Sequence, residues 1–121
     1  MPRLLIVDDE TDVREFARNF FRKRGIEVFT AASGPDALEL IGREQPDLVL
    51  LDVRMAGMTG VDVLRELRQR GQQVKVIMVS GVEDVQIVEE TKGLGAIGFI
   101  HKPLVLEELE KVVLQELNPS A

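Results

Sequence analysis

The chain of 121 residues contains no cysteine, no tryptophan, no tyrosine and a single histidine, His101. Without cysteine, disulfide bonds and thiolate metal sites are excluded, and one histidine cannot build an imidazole zinc cluster. No apolar run approaches the roughly 20 residues of a membrane span, and no signal-peptide pattern opens the chain. The formal net charge of −6 argues against nucleic acid as a direct ligand. These absences predict a cytoplasmic protein with no membrane partner.

Hydrophobic residues make up 45% of the chain and charged residues 30%, an ordinary mix for a globular protein. We interpret residues 1–121 as one domain, long enough to bury a core without disulfides. The charge is unevenly spread, because residues 11–25 carry five basic side chains against two acidic ones, whereas residues 83–117 carry eight acidic side chains against three lysines. Each segment is either a solvated face or a docking surface.

Short aliphatic runs alternate with helical patterns along the whole chain. Five buried strands are predicted from these runs, at residues 4–7, 26–30, 48–51, 74–79 and 97–100. After each run, apolar residues recur at helical spacing. The first helix is predicted to bury Phe16, and the fourth and weakest, at about residues 83–92, to turn Val85 and Val88 inward. This alternation is typical of a parallel sheet covered by helices on both faces.

Polar side chains follow four of these strands, at the edge of a parallel sheet where ligands bind. They are Asp8, Asp9, Glu10, Asp52, Ser80, His101 and Lys102. Clustered carboxylates repel one another, and a divalent cation relieves that repulsion. An oxygen-only set of ligands suits Mg²⁺ better than zinc. His101 alternates away from Lys102 on its strand, so we interpret it as a surface residue.

A carboxylate beside Mg²⁺, a hydroxyl and an ammonium can transfer a phosphoryl group. In that chemistry Asp52 attacks as the nucleophile, Lys102 and the metal offset charge on the phosphoryl oxygens, and Ser80 donates a hydrogen bond. Taken alone, Asp8 and Asp9 could equally cap a helix, and Ser80 could be a structural hydroxyl. The shared edge of the sheet favours the chemical interpretation.

Four motifs in this order resemble a known family: VDDE at 7–10, LLDVRMAGMTG at 50–60, MVSG at 78–81 and GFIHKP at 98–103. Essentially the whole chain resembles a response-regulator receiver domain of two-component signalling. The resemblance implies a flavodoxin-like (βα)5 fold, a doubly wound parallel sheet of five strands in the order 2-1-3-4-5. It also implies a cytoplasmic phosphoprotein of a phosphorelay, a signal-transduction switch that is no enzyme beyond its own phosphorylation and dephosphorylation.

The resemblance assigns a role to each carboxylate. Asp52 is the phosphoacceptor and forms an acyl phosphate. The expected Mg²⁺ ligands are Asp9, Asp52 and the main-chain carbonyl of Arg54, with Asp8 acting mainly through water.

The resemblance also implies a switch and its partners. Ser80 matches the hydroxyl residue that follows the phosphoryl group, Phe99 matches the aromatic that changes rotamer, and the Lys102–Pro103 bond is expected to be cis. A sensor histidine kinase or phosphotransfer protein is expected to dock partly on the basic first helix. A downstream output domain or target protein is expected to read the surface of the fourth helix, fifth strand and fifth helix. Because residues 95–99 lack the acidic pair of receivers that dimerise there, a monomer is expected when unphosphorylated.

Two other classes use similar groups. An aspartate-nucleophile phosphatase of the haloacid-dehalogenase type requires Asp-x-Asp after its first strand, where this chain has Asp8-Asp9-Glu10. If wild type hydrolysed a phosphomonoester and an Asp8 mutant did not, that hypothesis would be revived. A flavin carrier on the same fold would stack a Trp or Tyr on its flavin, and this chain contains neither residue. A colourless purified protein would end that hypothesis.

The chain departs from the usual family pattern at Ala56, where proline is common, and at Leu104, where phenylalanine is common. Two further positions, which the family varies to set the phosphoryl lifetime, hold Arg54 and Val82.

We predict slow autodephosphorylation, because a cationic Arg54 can lie over the phosphoryl group and an apolar Val82 cannot position water. The lifetime of the phosphoryl adduct, followed by intact mass, checks this prediction. Val82→Glu and Arg54→Ala should each shorten it, and rapid loss that neither substitution alters would contradict the prediction.

Overall fold

The computed structural model describes residues 1–81 and 85–117. In this part of the chain, strands and helices alternate as β1 Arg3–Val7, α1 Thr11–Arg22, β2 Glu27–Ala31, α2 Gly34–Glu44, β3 Leu48–Asp52, α3 Gly60–Gln69, β4 Lys75–Ser80, α4 Val85–Gly93, β5 Gly98–His101 and α5 Leu106–Leu117. The strands form one parallel sheet in the order β2-β1-β3-β4-β5. The predicted fold class and strand order are confirmed, and every predicted strand ends within one residue of its observed end.

Strand β3 runs through the middle of the sheet, and all five of its residues are buried, Asp52 included. Its side chains alternate between two cores, since Val49 and Leu51 pack on one face of the sheet and Leu48 and Leu50 on the other. Helices cover both faces, which explains why the strand is a continuous aliphatic run. The carboxylate of Asp52 therefore stands at the end of an apolar layer.

The loop between β3 and α3 has a defined path. Gly57 takes a φ of 78°, in the left-handed region that glycine tolerates best. Thr59 and Asp62 form a reciprocal capping box, in which the Thr59 hydroxyl accepts from the Asp62 N–H at 3.2 Å and the Asp62 carboxylate accepts from the Thr59 N–H at 3.1 Å. These hydrogen bonds, the main-chain one first, hold the pKa of Asp62 below its ordinary value. Helix α3 therefore begins at a fixed point beside the end of β3.

Two predictions about helix faces were wrong. Phe16 is 54% exposed, because α1 packs on the sheet through a narrower stripe whose buried members are Ala17 and Phe21. Val85 is 75% exposed, because α4 buries Thr91 and turns its first residues outward.

The predicted start of the fourth helix at residue 83 and the side chain of Val82 lie outside the described residues. None of the helices within residues 1–81 and 85–117 has the length and apolar character needed to cross a membrane.

Candidate functional site

Three charged side chains meet at the carboxyl edge of the sheet. The Lys102 Nζ lies 2.9 Å from Asp52 Oδ2 and 3.4 Å from Asp8 Oδ2. Asp8 directly follows β1, Asp52 ends β3 and Lys102 directly follows β5. Both carboxylates are 3% exposed. One ammonium therefore bridges two buried carboxylates, at the edge where the strand-end pattern placed these three residues.

Main-chain hydrogen bonds extend the sheet into the site. The Asp8 N–H donates to the Ala31 carbonyl at 3.1 Å, and the Lys102 N–H donates to the Ser80 carbonyl at 2.7 Å. Ser80 itself is 1% exposed at the end of β4, next to β3. The backbone on either side of the charged groups is thus held by the sheet, which limits how far the three side chains can separate.

The protonation of Asp52 is set by opposing effects. Burial raises the pKa of its carboxyl above the ordinary value, and the negative charge of Asp8 raises it further. The hydrogen bonds from Lys102 and from the Arg54 N–H, the latter 3.2 Å from Asp52 Oδ1, oppose that rise without cancelling it. The surroundings of Asp52 therefore disfavour its anionic form, and the hydrogen bonds from Lys102 and Arg54 offset part of that effect.

Lys102 experiences the opposite balance. Burial alone would lower the pKa of its ammonium, but the hydrogen bond and charge of Asp52 together with those of Asp8 outweigh that effect, and the net pKa is raised. Lys102 therefore stays cationic at neutral pH and remains available to an incoming anion.

A second acidic group adjoins this triad. Carboxylate oxygens of Asp8, Asp9 and Glu10 all lie within 4.8 Å of one another, and Asp8 Oδ1 accepts the Glu10 N–H at 2.9 Å. Asp9 and Glu10 are exposed, whereas Asp8 is buried. Hard oxygen donors of this kind fit Mg²⁺. The sequence placed Glu10 at this edge without a role, so its membership of the group is new.

The predicted ligand set and the observed grouping overlap only in part. Asp8 and Asp9 belong to the acidic group, while Asp52 is joined to Asp8 through Lys102. Arg54 is exposed, and its main-chain N–H is the atom that contacts Asp52. The structure therefore brings Asp8, Asp9, Asp52 and Lys102 to one edge.

Gly60 is a positioning residue that the sequence analysis missed. A Cβ at this position would lie 2.1 Å from the carbonyl oxygen of Asp52, a distance at which the backbone must move. The Gly60 N–H also donates to the Val53 carbonyl at 2.9 Å. Glycine is thus needed for the start of α3 to pack against the end of β3. Its place directly after the capping residue Thr59 was the available signal.

An open groove of about 390 Å³ lies beside Lys102, between the start of α1 and the segment that follows β5. Its apolar residues are Val13, Phe16, Pro103 and Leu104, and its charged ones are Glu10, Asp12 and Lys102. The exposed ring of Phe16 and the observed exposure of α1 make this groove accessible to another molecule.

Several smaller predictions are also answered by the structure. The Lys102–Pro103 bond is cis, as expected. His101 is exposed and its ring centroid lies 5.7 Å from that of Phe99, which is partly buried against the core.

The model of the response regulator receiver domain matches residues 4–114 of the sequence. The chain belongs to this family. The receiver domain is 34% identical over 115 residues to sporulation initiation phosphotransferase F of Bacillus subtilis, covering 95% of this chain and 93% of that protein. It is 36% identical over 116 residues to the regulatory protein AtoC of Escherichia coli, covering 96% of this chain but 25% of AtoC.

Solved structures agree with this assignment. The receiver domain superposes on the Vibrio cholerae chemotaxis protein CheY4 with a TM-score of 0.89 and 30% identity, covering 97% and 99% of the two chains. It superposes on Thermotoga maritima TrrA, solved with Mg²⁺ and BeF, with a TM-score of 0.83 and 30% identity, covering 97% and 100%. The flavodoxin-like fold is therefore that of CheY-like receiver domains.

We predict that Asp52→Asn stabilises the metal-free receiver domain at pH 7, by roughly 0.5–2 kcal/mol in the free energy of unfolding. Folding raises the pKa of Asp52 above 3.8, so the stability of wild type falls as pH rises through the window between 3.8 and the raised value. The gain should therefore be complete above that window and vanish below it. Denaturant unfolding in EDTA at several pH values measures it.

The matched control is Asp36→Asn, an exposed carboxylate in the first turn of α2. It should leave stability unchanged or lower it slightly, because Asp36 favours the helix start. A loss of stability in Asp52→Asn as large as in the control would contradict the prediction.

Proposed function

We propose that the receiver domain is a phosphorylation-activated switch that accepts a phosphoryl group on Asp52. The donor is the phosphohistidine of a sensor histidine kinase or phosphotransfer protein. The observation that best supports this is the buried contact of Asp52 with Lys102, beside Asp8 and at the edge of an acidic group that suits Mg²⁺. Burial and a neighbouring carboxylate destabilise the charge of Asp52, and groups perturbed in this way are found at functional sites.

In the proposed step, a carboxylate oxygen of Asp52 attacks the phosphorus atom. The phosphorus–oxygen bond of an acyl phosphate forms as the phosphorus–nitrogen bond to the donor histidine breaks, and the bond electrons leave with the imidazole. Lys102 exchanges its contact with the Asp52 carboxylate for a contact with the phosphoryl oxygens. The Ser80 hydroxyl donates a hydrogen bond to one of these oxygens. The hydrogen bonds from Lys102 and the Arg54 N–H favour the ionised form of Asp52, which is the form that attacks.

The proposed Mg²⁺ ligands are Asp9, Asp52 and the main-chain carbonyl of Arg54, with Asp8 acting through water. When bound there, Mg²⁺ supplies positive charge that offsets the phosphoryl oxygens and the neighbouring carboxylates. Glu10, whose carboxylate lies within 4.8 Å of those of Asp8 and Asp9, adds to the negative charge that attracts the ion.

The phosphorylated state is proposed to change the surface of α4, β5 and α5, where the downstream output domain or target protein docks. Ser80 ends β4 and is hydrogen-bonded through its carbonyl to Lys102, so both residues that contact the phosphoryl group are attached to this side of the sheet. Phe99 on β5 is partly buried and has room to change rotamer next to a cavity of about 80 Å³. A ligand shifts such an equilibrium only when the two packings are close in energy.

The donor protein is proposed to dock in the groove between α1 and the segment after β5. Lys102 lines this groove and contacts Asp52, so a partner seated there would lie beside the phosphoacceptor. Its exposed apolar residue, Phe16, is the type of side chain that carries binding energy at interfaces. The basic residues of α1 add electrostatic attraction for an acidic partner.

We further expect that the domain turns over no substrate other than its own phosphoryl group and that it is monomeric when unphosphorylated. We also expect it to act in the cytoplasm and not to bind nucleic acid directly.

We predict that incubation with acetyl phosphate and Mg²⁺ gives a single phosphoryl adduct by intact mass, absent in Asp52→Ala and lost in mild base. Asp36→Ala, which removes an exposed aspartate in the first turn of α2, should keep the adduct in full. Lys102→Met should reduce its rate of formation by about ten- to a thousand-fold, the usual range for loss of one charge-stabilising donor. A folded wild type that binds Mg²⁺ but forms no adduct would contradict the proposal.

We also predict that Phe16→Ser lowers kcat/KM for transfer from a phosphorylated histidine protein by about ten-fold, while the rate with acetyl phosphate is unchanged. Removing an exposed anchor weakens docking of a protein donor and spares a small one. Val85→Ser, which removes another exposed apolar side chain, on α4, should affect neither reaction. Equal slowing of both donors by Phe16→Ser would place its effect on the site and not on docking.

A further inference from the structure

Helix α4 makes a narrow apolar contact with the rest of the molecule, in which Ile87 packs partly buried against the core. Among its residues, Thr91 is the one that is buried. Beneath the helix lies a cavity of about 80 Å³, whose lining includes Val88, Thr91, Ile97 and Phe99. A helix in a water-soluble fold is usually held by an apolar stripe, so the position of α4 depends on other contacts to an unusual degree.

Two arginines of the neighbouring helix α3 supply such contacts. Arg65 and Arg68 lie within one turn of each other, on the side of α3 that faces α4. Arg68 donates hydrogen bonds to main-chain carbonyls directly after α4, whereas Arg65 forms an ion pair with a side chain on α4.

Arg68 binds the carboxyl end of α4. Its Nε donates to the Leu94 carbonyl at 2.6 Å and its Nη2 to the Gly95 carbonyl at 3.3 Å, directly after the helix ends. Its Nη1 donates to the carbonyls of Gln72 and Val74, in the segment before β4, at 2.8 and 3.1 Å. Burial lowers the pKa of Arg68. Two of these hydrogen bonds reach the end of α4 and two reach the segment before β4, so a partly buried cation on α3 ties the two segments together.

Arg65 binds the middle of α4 through a single ion pair. Its Nη2 lies 2.5 Å from Glu90 Oε2, and the side chains of both residues are more than 40% exposed. The hydrogen bond from Arg65 to Glu90, with the charge of Glu90, raises the pKa of Arg65. Ion pairs exposed in this way are weak, because solvent competes for both partners. This contact can therefore open at little cost.

We propose that Arg68 is the pivot of α4 and that the Arg65–Glu90 ion pair is a latch, closed in the unphosphorylated receiver domain and open in the phosphorylated one. The inference rests on the proposed function and adds to it the contact that sets the resting position of α4. Because α4 has little apolar anchoring, a single weak ion pair is a large share of what distinguishes its two positions. The strong bonds of Arg68 confine the movement to a swing about the carboxyl end.

Linkage gives the latch a measurable effect at the distant site. A contact made only in the resting position opposes phosphoryl binding, and removing that contact favours it by the same factor. The free energy of an exposed ion pair corresponds to about a 1.5- to 5-fold change in an equilibrium constant. Opening the latch by mutation should therefore tighten the binding of a phosphoryl mimic by that factor.

The test measures the Kd for beryllofluoride with saturating Mg²⁺, by chemical-shift titration, for wild type, Glu90→Gln and Glu66→Gln. Glu66 pairs with Arg70 within α3 at 2.9 Å, so Glu66→Gln removes the same charge from a similar exposed pair without touching α4. Glu90→Gln should lower the Kd by about 1.5- to 5-fold relative to Glu66→Gln. Equal Kd values for the two variants, or a higher Kd for Glu90→Gln, would overturn the latch.

Amide hydrogen exchange of the unliganded proteins tests the pivot. Glu90→Gln should accelerate exchange in α4 before residue 90 and leave the Leu94 and Ala96 amides protected. These amides donate to the carbonyls of Glu90 and Thr91, at the end of α4 that Arg68 holds. Equal acceleration at both ends would overturn the pivot. If wild type binds no beryllofluoride while the exchange pattern appears as expected, the proposed function fails and the attachment of α4 stands.

Discussion

Two buried carboxylates share one ammonium at the edge of the sheet, and the candidate site depends on this imbalance of charge. Asp8 and Asp52 bring two negative charges to a place with little solvent, and Lys102 compensates only one of them. The fold tolerates the excess because main-chain hydrogen bonds fix the strand ends on which these residues stand. A cation that enters relieves the repulsion, so the proposed binding of Mg²⁺ and the proposed phosphoryl transfer have the same electrostatic origin.

Much of this arrangement was predictable from the sequence, for a geometric reason. Strands buried on both faces appear as continuous aliphatic runs, and parallel strands bring the residues after them to one edge, which places Asp8, Asp52 and Lys102 together. The exposure of Phe16 was not predictable, because helical periodicity gives the direction of an apolar stripe and not its width. The role of Gly60 depends on the path of a loop, which local sequence does not determine.

The chemical end and the responsive end of the receiver domain are held by different forces. Around Asp52, buried apolar side chains, the capping box of α3 and the close approach of Gly60 leave little freedom. Around α4, a cavity and exposed polar contacts accompany a narrower apolar contact. The proposed phosphoryl transfer would benefit from the first condition, and the proposed change of surface would benefit from the second. The arginines of α3 stand between the two regions.

The charged triad also joins opposite ends of the polypeptide. Asp8 follows the first strand, whereas Lys102 follows the last, so the site exists only after β5 has been added to the edge of the sheet. A partly synthesised or proteolytically shortened chain that lacks β5 holds its aspartates without their counterion. Such a chain lacks the ammonium on which the proposed reaction depends for its rate. The order of the strands thus makes the proposed phosphoryl transfer depend on the complete sheet.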